Sequence, residues 1–449
     1  MARQSRSISI RESLHKLFSP QLIRRIARDT GAVQRRRKVD PVALFWTLVL
    51  GFDDGDCRSI AGLRRTYAET TGKDLAPSSF YKRFTPALVA MLRFAVDHAL
   101  QLGLEVGEAL KGPMASFRGL ILLDSTVLRL HDLLTPQYPG CRTTTAPAAA
   151  KIHLAYCVRG AGRTSIRLTP ERTPDLRRVV IGPWARGQLF LFDLGYFSYE
   201  LFASIQRRGG FFVTRLKRHV NLEIMSVQRG DRRHVRGTPF RRWLERSHAP
   251  WIDVTVAMPT RRCPSGRWSA HEHQPMRIVG RRQGDGGYEL YLTNVSGEQL
   301  FAEDVPAVYA ARWEVELVFK EWKSHYRLDD LPSRKPQVVE ALLHASMLTL
   351  IVSRQLGNAI RARLDGEARR IRHHRWACVF QSFASSLLWI AVRSRRQSEP
   401  IERSLAAILV REARDPNVSR QHLLERVAQR THARSVHPKN RNSYANLGP

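Results

Sequence analysis

Two short stretches constrain the fold of this chain more than any others: LILLD at 120–124 and LFLFD at 189–193, each four apolar residues closed by an aspartate. A short apolar run bounded by a turn signal fits a buried strand. An aspartate that ends such a strand and is followed at once by a turn is delivered to the carboxyl edge of a sheet. Further short apolar runs, KIHLAYCV (151–158), TSIRLTPE (164–171) and FFVTRL (211–216), supply more strands. Before the last of them, LGYFSYELFASIQRRGG offers Ser198 as a helix cap and Gly209–Gly210 as the helix end. Three strands, a short helical link, a strand, a helix and a strand make a mixed α/β sheet.

Around this centre the texture differs. Residues 1–115 read as a helical N-terminal domain, with helices near 7–17, 20–29, 41–52, 58–70 and 78–103. Within it, a helix, a turn and a second helix opening at Ser78 would present Tyr81, Lys82 and Arg83 to DNA; an ordinary helical pair with a solvated basic face accounts for the same residues. Residues 116–217 hold the first part of the core. Residues 218–304 read as a β-rich insertion, with WIDVTVAM, MRIVG and YELYLTNV separated by PSG and GDGG. Helices resume over 305–395 as the second part of the core, and 396–449 is a basic C-terminal region, helical to about 430 and frayed beyond.

The charge points to the partner. Lysine and arginine number 73 against 40 acidic residues, a formal net charge of +33 and a pI near 11.1. Such a surface binds a polyanion largely by counterion release, so nucleic acid leads, with simple solubility as the bland alternative. The five cysteines, Cys57, Cys141, Cys157, Cys263 and Cys378, are scattered and odd in number, which suits a reducing cytoplasm. The first residues carry no apolar signal core, and the longest apolar runs, 42–52 and 341–352, fall short of the roughly 20 residues a membrane span needs.

The chemistry gathers in YAARWEVELVFKEWK, 309–323. At about 100° per residue, Tyr309, Arg312, Glu316 and Lys323 fall within an arc roughly 60° wide on one helix. Val315, Val318, Phe319 and Trp322 form the neighbouring apolar stripe that would pack the helix down. Glu316 would then be a third carboxylate beside Asp124 and Asp193. Three such groups repel one another unless hard cations neutralise them, and oxygen-only donors suit Mg²⁺. Two ions about 3.5–4 Å apart serve an in-line phosphoryl displacement.

The spacing Tyr309, two residues, Arg312, three residues, Glu316, six residues, Lys323 resembles the Y-R-E-K signature of cut-and-paste bacterial transposases of insertion-sequence family 4. DST at 124–126 and DLGYFS at 193–198 are similar to that family's first and second aspartate motifs. The resemblance spans about 115–330. It implies an RNase H-like core interrupted by a β insertion, and a DDE site of Asp124, Asp193 and Glu316 holding two Mg²⁺ ions, with Mn²⁺ as a substitute. It also implies double-stranded DNA as partner, both terminal inverted repeats and target, a homodimer on that DNA, no membrane, and a cytoplasmic, nucleoid-associated setting in a bacterium. Water and then a DNA 3′-hydroxyl would attack phosphodiesters, without a covalent protein–DNA intermediate. Tyr309, Arg312 and Lys323 would hold DNA-end phosphates. Trp313 has two readings, stacking on an extruded base or packing at the edge of the apolar face.

The rival readings are an Mg²⁺-dependent nuclease of the same core that cuts without joining, and a catalytically dead DNA-binding inhibitor of transposition. FDDGD at 52–56 lacks the periodicity of a calcium loop, and HEH at 271–273 lacks partners at zinc spacing. Asp132 reads as loop and Asp329–Asp330 as a helix-end turn. RRRK at 35–38 and RRIRHHR at 369–375 read as solvated faces or DNA backbone contacts.

Overall fold

The computed structural model describes residues 9–33, 39–52, 59–102, 109–142, 144–232, 236–259, 273–326, 328, 331, 333–362, 371, 373–416, 426–427 and 429. FDDGD beyond Phe52, RRRK, Asp329–Asp330, most of HEH, residues 369, 370 and 372 of RRIRHHR, and most of the chain past 416 lie outside the described residues.

Helices come first: α1 (Ile10–Leu17), α2 (Pro20–Asp29), α3 (Pro41–Leu50), α4 (Ile60–Thr71), α5 (Pro77–Tyr81) and α6 (Pro86–Leu102). Ser9, Ser19, Asp40 and Ser59 each accept a first-turn amide on a side-chain oxygen, so the starts follow from the sequence. The single helix expected over 78–103 is instead two. α5 stops at Tyr81, the Thr85 hydroxyl accepts from the Leu88 amide, and α6 restarts at Pro86. Proline suits a first helical position and breaks an interior one.

The strands are β1 (Gly119–Arg129), β2 (Pro139–Arg142), β3 (Ala146–Gly160), β4 (Ser165–Pro170), β5 (Gln188–Phe192) and, after helix α7 (Tyr199–Arg207), β6 (Phe211–Arg215). The next segment adds β7 (Glu223–Arg229), a short α8 (Phe240–Glu245), β8 (Trp251–Pro259), β9 (His273–Arg282) and β10 (Tyr288–Thr293). One sheet takes them all in the order β2-β3-β1-β5-β6-β10-β9-β8-β7, with β4 beside β3. β1–β5 and β5–β6 are parallel, the second pair joined by α7 as a crossover requires. β10 lies antiparallel on β6, so the turn-rich segment 218–304 continues the same sheet.

Alternation along the strands sorts the two faces. Leu120, Leu122, Leu189 and Leu191 join a core shared with the helices, whereas Ile121, Leu123, Phe190 and Phe192 join a second core with α7, β8 and β9. The helical layer is completed by α9 (Val305–Ala310), α10 (Trp313–Tyr326), α11 (Pro336–Arg361), α12 (His373–Ser382), α13 (Ala384–Val392) and α14 (Arg395–Glu412). Buried Arg277 on β9 grips Asp253 of β8 through two bonds of 2.8 and 2.6 Å and donates to the Leu300 carbonyl at 2.7 Å, which fixes the approach to α9.

α11 is long and apolar enough to cross a membrane by length and composition, yet it is buried along most of its course among α1, α3, α6 and α10. It is the central helix of the core. His344 within it is buried and donates from Nδ1 to the Glu340 carbonyl at 2.7 Å. Burial first of all, with the Arg93 charge, holds its pKa below the usual 6.5. Above that ordinary value the native state loses nothing. As pH falls from 6.5 toward the depressed folded value, the unfolded chain takes up a proton that the native imidazole refuses, and stability is lost. Replacing His344 with Gln is expected to flatten the fall in thermal midpoint between about pH 7 and about pH 5.

Candidate active site

Asp124 does not end its strand, as the sequence reading has it: β1 runs on to Arg129. What ends there is its neighbour. The parallel register of β1 on β5 closes at Leu123 opposite Phe192, so Asp124 and Asp193 stand side by side one step beyond the last pair. The alternation that buries Leu120 and Leu122 with Leu189 and Leu191 turns both aspartates toward the helical layer. Asp193 then opens a tight turn over Leu194–Tyr196, its Oδ1 accepting the Gly195 amide at 2.9 Å.

Glu316 reaches this edge on α10. Val315, Val318, Phe319 and Trp322 are buried as the stripe requires, and the Trp322 indole donates to the Ser346 carbonyl of α11 at 3.1 Å. The signature does not lie on one helix, however. α9 ends at Ala310 and α10 starts at Trp313, and the amides of Ala311, Arg312, Glu314 and Val315 all bond three residues back. That tighter winding leaves Tyr309 on α9, Arg312 in the junction, and Glu316 with Lys323 on α10.

Arg312 lies between the carboxylates. Its Nη2 donates to Glu316 Oε1 at 2.6 Å, and its Nη1 stands 3.7 Å from Asp124 Oδ2. The positive charge that the three acids call for is therefore partly supplied by the protein. Asp124 is mostly buried, and its carboxyl is pushed up to about 6: burial is the main cause, Asp193 and Glu316 add to it, and the Ser125 amide and Arg312 act against it. Asp124, Asp193 and Glu316 are not drawn within 4.8 Å of one another as a group; among the described residues only His325, His374 and Cys378 are.

The remaining signature residues frame this centre. The Tyr309 ring stands 6.0 Å from the Arg312 guanidinium carbon and edge-on to Tyr291 at 5.3 Å. Lys323 Nζ donates to the Val127 carbonyl, 3.4 Å away on the continuation of β1. Trp313 is 55 % exposed, so it is not packed against the apolar face. The helix–turn–helix reading is corrected in one respect: α5 has five residues, so Lys82 and Arg83 sit in the turn after it, and Tyr81 is half-buried under the Lys335 ammonium at 5.0 Å. Asp132 is exposed and opens a short turn after β1.

A polar group behind Asp124 has no motif and escapes a reading by sequence. On the opposite face of β1 and β3, the Asp175 Oδ1 lies 3.4 Å from Lys151 Nζ and 3.3 Å from His153 Nδ1. Burial alone would raise its carboxyl, but His153, Ser125 and Lys151 outweigh that and hold it down at about 2. Asp175 is thus a fixed anion directly beneath the residue that follows Asp124. Arg215, paired with Glu289 and 5.6 Å from the Tyr291 ring, lies beside Tyr309 and is a second residue without a sequence signal.

Comparison with known proteins gives the chain's family. The family model described as "Transposase DDE domain" matches residues 115–352. The chain is 20% identical over 380 residues to the transposase for insertion sequence element IS231F of Bacillus thuringiensis subsp. israelensis, covering 76% of this chain and 78% of that one. It is 20% identical over 440 residues to the IS231B transposase of Bacillus thuringiensis subsp. berliner, with 89% of each covered. Against the IS421 transposase of Escherichia coli it is 24% identical over 366 residues, covering 75% of this chain and 90% of that one. The cryo-EM structure of a piggyBac transposase synaptic complex with hairpin DNA aligns over 99% of this chain and 89% of its own at a TM-score of 0.44 and 10% identity, too low for comparison in detail. With its matched region covering more than half of the sequence, the chain belongs to the transposase DDE domain family and is an enzyme of the DNA transposase class.

Proposed function

We propose that this protein excises an insertion sequence by cutting DNA at its terminal repeats and then joins the freed 3′ ends to target DNA, as in insertion-sequence family 4, with Asp124, Asp193 and Glu316 holding two Mg²⁺ ions. The observation that carries this reading is the side-by-side stand of Asp124 and Asp193 on the sheet face that α10 covers with Glu316. The donor set fits hard cations, since every ligand atom is a carboxylate oxygen and one guanidinium, paired with Asp124 and Glu316, leaves the three acids short of positive charge. When bound, such ions activate an attacking oxygen and stabilise a leaving one in an in-line displacement.

The protein's own groups divide the remaining work. Arg312 balances Asp124 and Glu316 before DNA arrives and is placed to turn toward a DNA-end phosphate, releasing both carboxylates. Lys323 and Tyr309 flank it as further phosphate contacts. Trp313, exposed at the start of α10, offers a face on which a base can stack. We read β1, β3, β4, β5 and β6 as an RNase H-like core with 218–304 inserted, residues 1–115 with Lys82 as the DNA-end-binding part, and two chains per complex so that both ends are held together.

The test is a linear DNA carrying the native element ends, incubated with full-length protein. Mg²⁺- or Mn²⁺-dependent nicking at the ends followed by joining of pre-cleaved ends to a plasmid is expected; cutting without joining would favour a nuclease, and binding without nicking an inhibitor. Two substitutions probe the roles. Arg312→Ala is expected to bind Mn²⁺ a few-fold more tightly in the absence of DNA, measured by electron paramagnetic resonance, because the cation that competes for the carboxylates is gone. Trp313→Ala is expected to leave the unfolding midpoint unchanged and to weaken binding of a substrate with an unpaired base at the cleavage site by about 1–3 kcal/mol.

A further inference from the structure

Away from the carboxylates, one cluster has a chemistry that transposition does not use. His325, in the last turn of α10, meets His374 and Cys378 of α12. The Cys378 Sγ lies 3.8 Å from His325 Nε2 and 3.8 Å from His374 Nδ1, and one ligand atom from each residue falls within 4.8 Å of the others. His374 and Cys378 are four residues apart, which stacks them on one helical face. The two imidazoles stand edge to face at 5.0 Å, so their nitrogens converge and their rings do not stack in parallel.

We propose that His325, His374 and Cys378 form a structural zinc site. With Zn–S near 2.3 Å and Zn–N near 2.0–2.1 Å, a tetrahedral sulfur-to-nitrogen edge is about 3.6 Å. Both separations in this cluster need to shrink by only a few tenths of an ångström. The tautomer is already set for it: His325 Nδ1 donates to Gln381 Oε1 at 3.1 Å, which leaves the Nε2 lone pair facing Cys378. His374 is exposed, so a water can take the fourth position. One thiolate and two imidazoles select a borderline-soft ion over Mg²⁺, which keeps this site distinct from the carboxylate site. Nine residues of helix, about 13 Å, separate His325 from Glu316. Zinc there clips the far end of α10 to α12 and steadies the helix that carries Glu316, a consequence that rests on the proposed role of Glu316 although the site itself does not.

The experiment uses full-length protein stripped with a chelator and titrated with Co²⁺ in excess Mg²⁺. A thiolate-to-cobalt charge-transfer band and tetrahedral ligand-field bands are expected to saturate at a single equivalent and to be displaced by Zn²⁺. Cys378→Ser should abolish the charge-transfer band, and His374→Ala, at an exposed position that tolerates change, should weaken binding at least about tenfold. Zn²⁺ should raise the thermal midpoint of the wild type and not of Cys378→Ser. Asp124→Asn and Cys141→Ser should titrate like the wild type, which separates this site from the carboxylates and from other thiols. Absence of the band in the wild type, or its persistence in Cys378→Ser, overturns the proposal whatever the cleavage assay shows.

Discussion

Glu316→Gln is expected to give a protein that binds element ends as tightly as the wild type and cuts them at least about 10³-fold more slowly, a loss on the scale of removing a principal charge-stabilising group. The substitution keeps the shape of the side chain and can still accept a bond from Arg312 Nη2, so α10 should dock unchanged on the buried stripe from Val315 to Trp322. It removes one of three negative charges, and with it the attraction for a divalent ion. Asp124→Asn and Asp193→Asn should behave alike, because register places them together at the same sheet edge. The measurement pairs a gel-shift titration with cleavage of labelled end DNA at saturating Mg²⁺. Cleavage within tenfold of the wild type in any of the three would remove that residue from the proposed site.

The second large effect concerns stability. Glu321 and Arg354 form an ion pair at 2.5 Å between α10 and α11, with side chains only 2% and 4% exposed. The Tyr326 hydroxyl donates to Glu321 at 3.0 Å. Burial raises the Glu321 carboxyl, and the Arg354 charge opposes that rise. Glu321→Ala leaves a buried guanidinium without its carboxylate and is expected to cost roughly 3–5 kcal/mol. Glu321→Met with Arg354→Leu should recover most of that, since neither charge then has to be desolvated. Urea unfolding followed by tryptophan fluorescence reads both, because Trp322 and Trp376 are buried nearby. An unchanged midpoint in Glu321→Ala would show that the pair contributes nothing net.

The parts that were legible in the sequence are those fixed by local pattern. LILLD and LFLFD could be read as buried strands because four consecutive apolar residues have no exposed face to occupy, and the aspartates at their ends had few other places to go. The spacing from Tyr309 to Lys323 did not disclose how these residues are arranged. Spacing assumes uniform winding, and bonds to the third residue back at 311–315 re-aim Arg312 between Asp124 and Glu316. Strand partners were hidden as well: nothing in YELYLTNV announces that Tyr291 will pair with Arg215, because register depends on residues far apart in the chain. Asp175 and the histidine–cysteine cluster were invisible for the same reason, Cys378 being 53 residues from His325.

The Thr349 hydroxyl of α11 donates to the Val49 carbonyl of α3 at 2.6 Å, a bond spanning 300 residues. Glu402 of α14 accepts from the Arg11 amide at 3.0 Å, across 391. On a ribosome adding about 5–20 residues per second, the first-made helices must wait roughly 15–60 s for the element that buries them. Throughout that interval their apolar sides face solvent. Shortening the gene from its 3′ end should therefore yield insoluble fragments and not a smaller working piece.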